Sequence, residues 1–508
     1  MALITPAMCC NCFNKEEEEA INFIVSRFGA KLLIFALQPT PCRVPGITRK
    51  WVLFLLPSLV SCPLLNTLMM FDKLFGKGKK KPAAADPVIT FGRYSDNNKP
   101  VAKTNRWTDA ENHFREKKYV ECLDAFFDYL RDDALQNVVY ERNGAEGRFH
   151  FYQGSKIVRG SFNNDILRAE VTLARMPQPS VPVMRRLLEM NFNLFYSRFA
   201  LDNDRLCMSF DSDTETASPS KLYYGLKELA TKADKQDDLL VQDFAALETA
   251  DSEHIGEVTL AEKEVKYEYL QKWIGQVLDM VSGLDADKFS GGIAYMLLSL
   301  VYRIDYLITP EGKLLNDLEK IGGIYFKKDE RPVPEKNRDM IEEFRKIKEI
   351  PKEEVFKYLI RSKYTFAIVA PQQYKTIADS IHGSNQNLVW YRDNNYPFIA
   401  CQIAEYGISY CQYSYSLPRA ITELYHLYMR VNYPDFFKAM GFQTLYYDAA
   451  ANKFDSELIT EEIKNIQARW KEKYPLMDFK TQNLRFDNLV NFCHTFTNEM
   501  EFLNLDSK

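Results

Sequence analysis

Between residues 181 and 244 the spacing of apolar side chains changes twice, dividing the segment into a helix, a strand pair and a second helix. From Pro182 onward, Val183, Met184, Leu187, Leu188 and Met190 recur at three- and four-residue steps, the period of one helix face. Pro182 suits a first helical turn, where its missing N–H would have no partner anyway. After Asn191 the period falls to two, setting Leu194, Tyr196 and Arg198 against Phe195, Phe199 and Leu201. Asp202, Asn203 and Asp204 stand where a hairpin must reverse, and residues 205–210 return as the second strand. Ser218 and Pro219 cap and open a helix with Leu222, Gly225, Leu226 and Leu229 on one face and Lys and Asp on the other.

Upstream, four runs rich in Val, Phe, Tyr and Ile (137–141, 148–153, 157–162 and 166–173) read as an antiparallel meander. Asn143-Gly144, Gly154-Ser155 and Asn163-Asn164-Asp165 separate them, each competent for a turn with φ > 0. The alternation lets one sheet face be wet. Two helices, 108–117 and 120–131, precede the meander. Their HFREKKYVECLDAFFDYL resembles half of a tetratricopeptide repeat, but no copy follows at the ~34-residue period, so the pair is a helical hairpin.

The order of elements, together with the run NFNLFYSRFALDNDRLCM, resembles the type III secretion chaperone-like fold and its YbjN-like relatives over residues 106–244. The resemblance implies an α+β domain at 106–250 that binds other proteins and catalyses nothing. An exposed sheet face and an apolar helix stripe would hold an extended or partly unfolded protein partner, or a second copy of the chain as a homodimer. Dimerisation in that class uses the helix between the strands, which maps here to Val183, Met184, Leu187, Leu188 and Met190. Secretion chaperones are single small acidic domains, whereas this chain runs on to residue 508, so the YbjN-like architecture is the closer match.

After a polar stretch to about 259, Leu270, Trp273, Val277, Leu278, Val281 and Leu284 mark a helix. Gly291 and Gly292 introduce an apolar segment, 293–302, which is too short to span a membrane and reads as a buried helix ended by Arg303 and Asp305. A helical region thus covers 259–350. Beyond 352, the Tyr- and Trp-rich runs 387–392, 397–404 and 408–416 read as strands, broken by Asp393-Asn394-Asn395 and Gly407, and Pro418 opens a helix to Arg430. GFQTLYYDAAANKFD then echoes the first hairpin. Thr460 starts a helix running to Lys471 and Lys473, and Phe492, Cys493, Phe496, Met500 and Leu503 form a closing stripe. The expected class is α+β: an antiparallel sheet with flanking helices, a helical middle region, and a second α+β domain at 352–508, which is either a degenerate copy of the first or a fold of its own.

Composition sets residues 1–69 apart. They hold no Asp, Tyr or His, although the chain has 29 Tyr, and they carry five of its ten cysteines. Met70 begins MFDKLFGKGKKK, which looks like an ordinary bacterial start, so 1–69 reads as a spurious extension. The rival reading is a membrane anchor at 51–70, flanked by Arg49-Lys50 and Lys77 to Lys81. Residues 70–105 read as a flexible basic tip and linker, and membrane contact is expected only through 51–81. The 508 residues suffice for two or three domains, and a net charge of −4 gives no basic footprint for nucleic acid.

Candidate chemistry is sparse. None of the P-loop, dinucleotide, HExxH or GxSxG patterns occurs. Asp211, Asp213 and Glu215 alternate like the start of a calcium loop, but Thr216 stands where glycine belongs and Leu222 where the closing Glu belongs. Cys9, Cys10 and Cys12 lack a partner pair. Cys122, Cys207, Cys401, Cys411 and Cys493 are scattered, as in a reducing, cytoplasmic compartment. His113, His150, His254, His382, His426 and His494 form no spaced ligand set, and the aromatics around Trp390, Tyr391, Tyr396, Tyr406, Tyr410, Tyr413 and Tyr415 read as core or interface. No catalytic residue, cofactor or metal is expected. Two readings remain: a protein-binding module, or an enzyme with its site in 352–508. An enzyme would converge titratable groups in one pocket, and a binder would expose an apolar patch.

Overall fold

A computed structural model describes residues 86–506, apart from positions 98, 252 and 253. The expectations on residues 1–69, the membrane contact at 51–81 and the basic tip from Met70 to residue 85 lie outside the described residues.

Two helices, α1 (Val101–Arg115) and α2 (Tyr119–Leu130), lead into strands β1 (Val138–Asn143), β2 (Glu146–Gln153), β3 (Lys156–Phe162) and β4 (Ile166–Arg175). Helix α3 (Val181–Asn191) precedes β5 (Arg198–Asp202) and β6 (Arg205–Asp213), and α4 (Pro219–Asp243) closes the unit, its N-terminus capped by the Ser218 hydroxyl. The strands form one antiparallel sheet in the order β1-β2-β3-β4-β6-β5, and the short β7 (Glu248–Thr249) pairs with β4. The expected turns are used: Asn203 sits at φ 56° and Gly154 at φ 55°. At Gly154 a Cβ would meet the Asp234 carboxylate at 1.9 Å, so both conformation and space demand glycine. The wet and dry faces follow the alternation, with Phe149, Phe151 and Gln153 of β2 turned inward against Phe126, Phe127, Leu222, Leu226 and Leu229.

The rest is helical. The two-residue strand β8 (Gly256–Glu257) leads to α5 (Leu260–Ser282), α6 (Ser290–Arg303), α7 (Gly312–Phe326), α8 (Val333–Lys348) and α9 (Lys352–Lys357). Strand β9 (Ile360–Arg361) pairs with β8, and α10 (Tyr374–Asp393), α11 (Pro397–Ser414), α12 (Arg419–Asn432) and α13 (Pro434–Ala439) follow. A hairpin, β10 (Tyr447–Asp448) with β11 (Lys453–Phe454), precedes α14 (Ser456–Trp470) and α15 (Leu489–Glu501).

Four expectations are corrected here. The strands read at 387–392, 397–404 and 408–416 are helices α10 and α11, so the C-terminal region does not repeat the first sheet. Aromatic content suggested β-structure, but the buried residues Ile399, Ala400, Ile403, Ala404, Ile408 and Cys411 step by one helical turn, and Pro397 opens the helix. Gly407 is a packing glycine: a Cβ there would lie 2.9 Å from the Ser384 side chain on α10. The apolar segment did not end at Arg303, since α6 continues through a π-helical turn, Ile304–Ile308. Arg303 and Asp305 are carried inside because each has a buried or half-buried partner, Glu405 at 2.9 Å and Arg93 at 3.0 Å. The run Ser290–Ile308 is long and apolar enough to cross a membrane, and 89% of its apolar window is buried within the chain.

Residues 86–97, expected as linker, lie against the helices, with Asp86 on Arg430 at 2.7 Å and Phe91 in the helical core. Helix α14 starts at Ser456, not Thr460, because the Asp455 carboxylate accepts from the Leu458 N–H at 3.0 Å.

The sheet unit and the helices are stapled by the stretch after β9. Phe366 is fully buried in the core of the sheet unit, and Gln153 holds its backbone, accepting from its N–H at 3.0 Å and donating to its carbonyl at 3.2 Å. Beside this staple the Tyr364 hydroxyl donates to Glu311, and Asp234 accepts from the Ser155 N–H at 2.8 Å. Burial pushes the Glu311 carboxyl up to about 7, and burial together with Glu311 raises Asp234 as well. A carboxyl raised in the folded state binds its proton more tightly there, so this junction loses stability as pH rises from the ordinary carboxylate range through about 7. Glu311→Gln keeps a partner for Tyr364 and removes the ionisation. Urea melts should therefore show the variant gaining on the parent between pH 4.5 and pH 8; a constant gap across that range would disprove the assignment.

Candidate protein-binding surface

The residues expected to form a partner face divide between the two sides of α3. Val183, Leu187 and Met190 point inward at helical spacing and are buried against the sheet. Met184 is half-buried against the same core. Leu188 is 65% exposed and shares the outer side of the helix with Val181. Three of the five side chains are thus unavailable to a partner, because an amphipathic helix of eleven residues must spend its stripe on its own sheet.

The larger apolar surface lies just beyond α3, in residues 192–197. Phe192 and Phe195 are each 91% exposed, and Tyr196 is exposed beside them. The loop that carries them is fixed from below. Glu228 on α4 accepts hydrogen bonds from the backbone N–H of Phe195 and Tyr196, both at 2.9 Å, and from the N–H and hydroxyl of Ser197, both at 2.8 Å. Burial alone would raise this carboxyl, but the bonds from Ser197, Phe195 and Tyr196 outweigh it and hold the group below its ordinary range. Its contribution is therefore present above the ordinary carboxylate range and is lost as pH falls through the lowered value. Glu228→Gln removes the charge behind all four bonds and, with its carbonyl in the Oε1 position, loses outright the one from the Phe195 N–H, at a cost of about 1–2 kcal/mol. Amide exchange at 195–197 should quicken while the sheet amides stay protected; unchanged exchange would show that the loop is held otherwise.

Strand β5 is the edge of the sheet. The Phe199 N–H is taken by the Asn191 side chain at 2.8 Å, so it points away from β6, and by alternation so do the polar groups of Leu201. Asn191 thus covers part of an otherwise open edge. The exposed aromatics, Glu228 and Asn191 escaped the sequence reading: a period of two placed Phe195 inside a strand, and nothing in spacing marks a glutamate 31 to 33 residues away as the anchor of a loop.

The helical region holds the rival site, a cleft of about 530 Å³ lined by Asp86, Glu423, His426, Arg430, Glu462 and Arg469 among others. Two of its arginines are paired with its carboxylates. Arg430 meets Asp86 at 2.7 Å, and Arg469 meets Glu423 at 2.9 Å and Glu462 at 3.1 Å. Burial pushes His426 down to about 4, so its ring is neutral at pH 7. Its Nδ1 lies 3.3 Å from the Tyr306 hydroxyl, which burial keeps protonated and able to donate.

Several of the remaining candidates have structural partners. Asp211 pairs with Arg198 on the neighbouring strand, so no calcium loop forms there. His382 meets Glu501 at 2.7 Å, and His494 lies 2.9 Å from Arg392. Cys122, Cys207, Cys401, Cys411 and Cys493 are free thiols, and burial raises those of Cys122, Cys207 and Cys411. Tyr406, Tyr410 and Tyr413 pack around Tyr302, and Trp390 stacks on Tyr396 at 6.1 Å. Among the described residues no group of three or more His, Cys, Asp or Glu could hold a metal ion. No family model matches the chain, and no curated protein matches it.

Proposed function

We propose that the chain is a non-catalytic, protein-binding module of the secretion chaperone-like, YbjN-like kind, which takes its protein partner on the surface formed by Leu188, Phe192, Phe195 and the β5 edge. The observation that carries this reading is the outward pair Phe192 and Phe195, the second on a backbone that Glu228 holds in place. Two phenylalanines at 91% exposure lose apolar hydration to no contact of their own, and a fixed loop pre-pays the ordering that binding would otherwise require. The five cysteines among the described residues are free thiols, which fits a reducing, cytoplasmic setting. The enzyme reading draws on the helical cleft, where Arg430 and Arg469 are each paired with carboxylates of the same lining.

The test is the double variant Phe192→Ser with Phe195→Ser in the full chain. Both side chains are solvated, so the unfolding free energy should stay within about 0.5 kcal/mol of the parent. A polypeptide that binds the parent should bind the variant about 10- to 100-fold more weakly, in the range of lost aromatic hot spots. A purified partner that binds both equally would refute the proposal.

A further inference from the structure

Resting on the protein-binding reading, we propose that β5 is the docking edge for a second copy of this chain, added antiparallel about Ala200. The strand reads Arg198, Phe199, Ala200, Leu201, Asp202, and this sequence is complementary to its own reverse. With Ala200 opposite its counterpart, Arg198 of each copy faces Asp202 of the other. Both pairs lie on the face that Ala200 shares, and on the opposite face Phe199 meets Leu201. The backbone parity agrees. Residues 199 and 201 point their polar groups outward, so they can form the hydrogen-bonded pairs while Ala200 occupies the close, non-bonded position. A two-fold axis through Ala200 makes the contact isologous and closes it at two chains.

The flanking surface suits this occupant. Leu201 is 45% exposed in the single chain and would lie across the joint beside Phe199, whose ring stays in its own sheet core. Phe192 follows Asn191, whose side chain sits on the Phe199 N–H, so it lies at the same edge. Asn191 must yield this N–H for all four inter-copy bonds to form. Within one chain Arg198 is paired to Asp211, and Asp202 to Arg205 at 2.5 Å; both are exposed pairs that tolerate a further neighbour.

Sedimentation equilibrium of the full chain, from about 1 to 100 µM, tests the pairing in four proteins: the parent, Arg198→Asp, Asp202→Arg, and the double swap. The parent should dimerise. Each single reversal should weaken the dimer at least about tenfold, since by symmetry it sets two like-charged pairs across the joint. The double swap should restore association to within about threefold of the parent. Restoration is diagnostic, because Asp at 198 still faces Asp211 and Arg at 202 still faces Arg205 within each copy. Should a reversal unfold the chain, Leu201→Pro removes an outward N–H without touching the β6 ladder, and it should also abolish the dimer.

A parent that stays monomeric to about 100 µM, or a double swap no tighter than the single reversals, overturns the pairing. If the chain is monomeric yet a different polypeptide is lost from the Phe192→Ser, Phe195→Ser variant, the self-pairing fails while the binding function stands.

Discussion

Phe366→Ala is expected to cost about 3–5 kcal/mol, the range for emptying a fully buried phenylalanine site. The ring sits in the core of the sheet unit although its chain segment comes from the helical region. It packs edge-on to Phe151 at 5.6 Å and to Tyr223 at 5.4 Å. The surroundings have little freedom to collapse, because Gln153 pins the backbone on both sides of the ring and Asn137 donates to the Tyr364 carbonyl at 3.1 Å. The loss should be cooperative, loosening the join between sheet and helices as well as the core itself. Guanidinium melts followed by tryptophan fluorescence would show it, because Trp107 lies in the sheet unit and Trp273 in the helical core. A loss below about 1 kcal/mol would mean that Phe366 is not the staple described.

Breaking the ion pair inside the helical region should have a similar effect. Arg303 and Glu405 are both nearly inaccessible and bond at 2.9 and 3.2 Å, while Tyr433 donates to the same carboxylate and lies 4.6 Å under the guanidinium. Glu405→Gln leaves Arg303 charged and without its counter-ion, at a cost of about 3–5 kcal/mol. Replacing both partners together, Arg303→Met with Glu405→Leu, removes the charge instead of stranding it, and should recover most of the loss. Denaturant titration of the three proteins distinguishes the cases. A double variant as unstable as Glu405→Gln would show that shape, and not charge, is what the pair supplies.

The sheet unit was legible because its signals are local and agree with one another. Turn residues at Gly154 and Asn203 adopt positive φ, Ser218 caps α4 through its hydroxyl, and alternation in β2 sorts its faces correctly. Helices α10 and α11 were misread because their tyrosines carry strand propensity, while the deciding signal is the three- and four-residue step of the smaller residues between them. The buried charges were misread as ends of a core segment, since a sequence shows Arg303 but not Glu405 facing it across 102 positions. At the candidate site, helical period identified α3 but not which side its own sheet would claim. Val183 and Leu187 went inward, and the surface that remained was set by Glu228, whose role exists only once α4 has packed beneath the loop.

The most direct test of the binding surface places a photo-crosslinking residue at Phe195 in the full chain, with the same residue at Val88 as control. Val88 is 96% exposed and lies outside the sheet unit, so the two positions differ in place and not in access. The account predicts a defined crosslinked polypeptide, a second copy or a distinct protein, from position 195 and none from position 88. Equal crosslinking from both positions, or none from 195 under conditions that crosslink elsewhere on the chain, would contradict it.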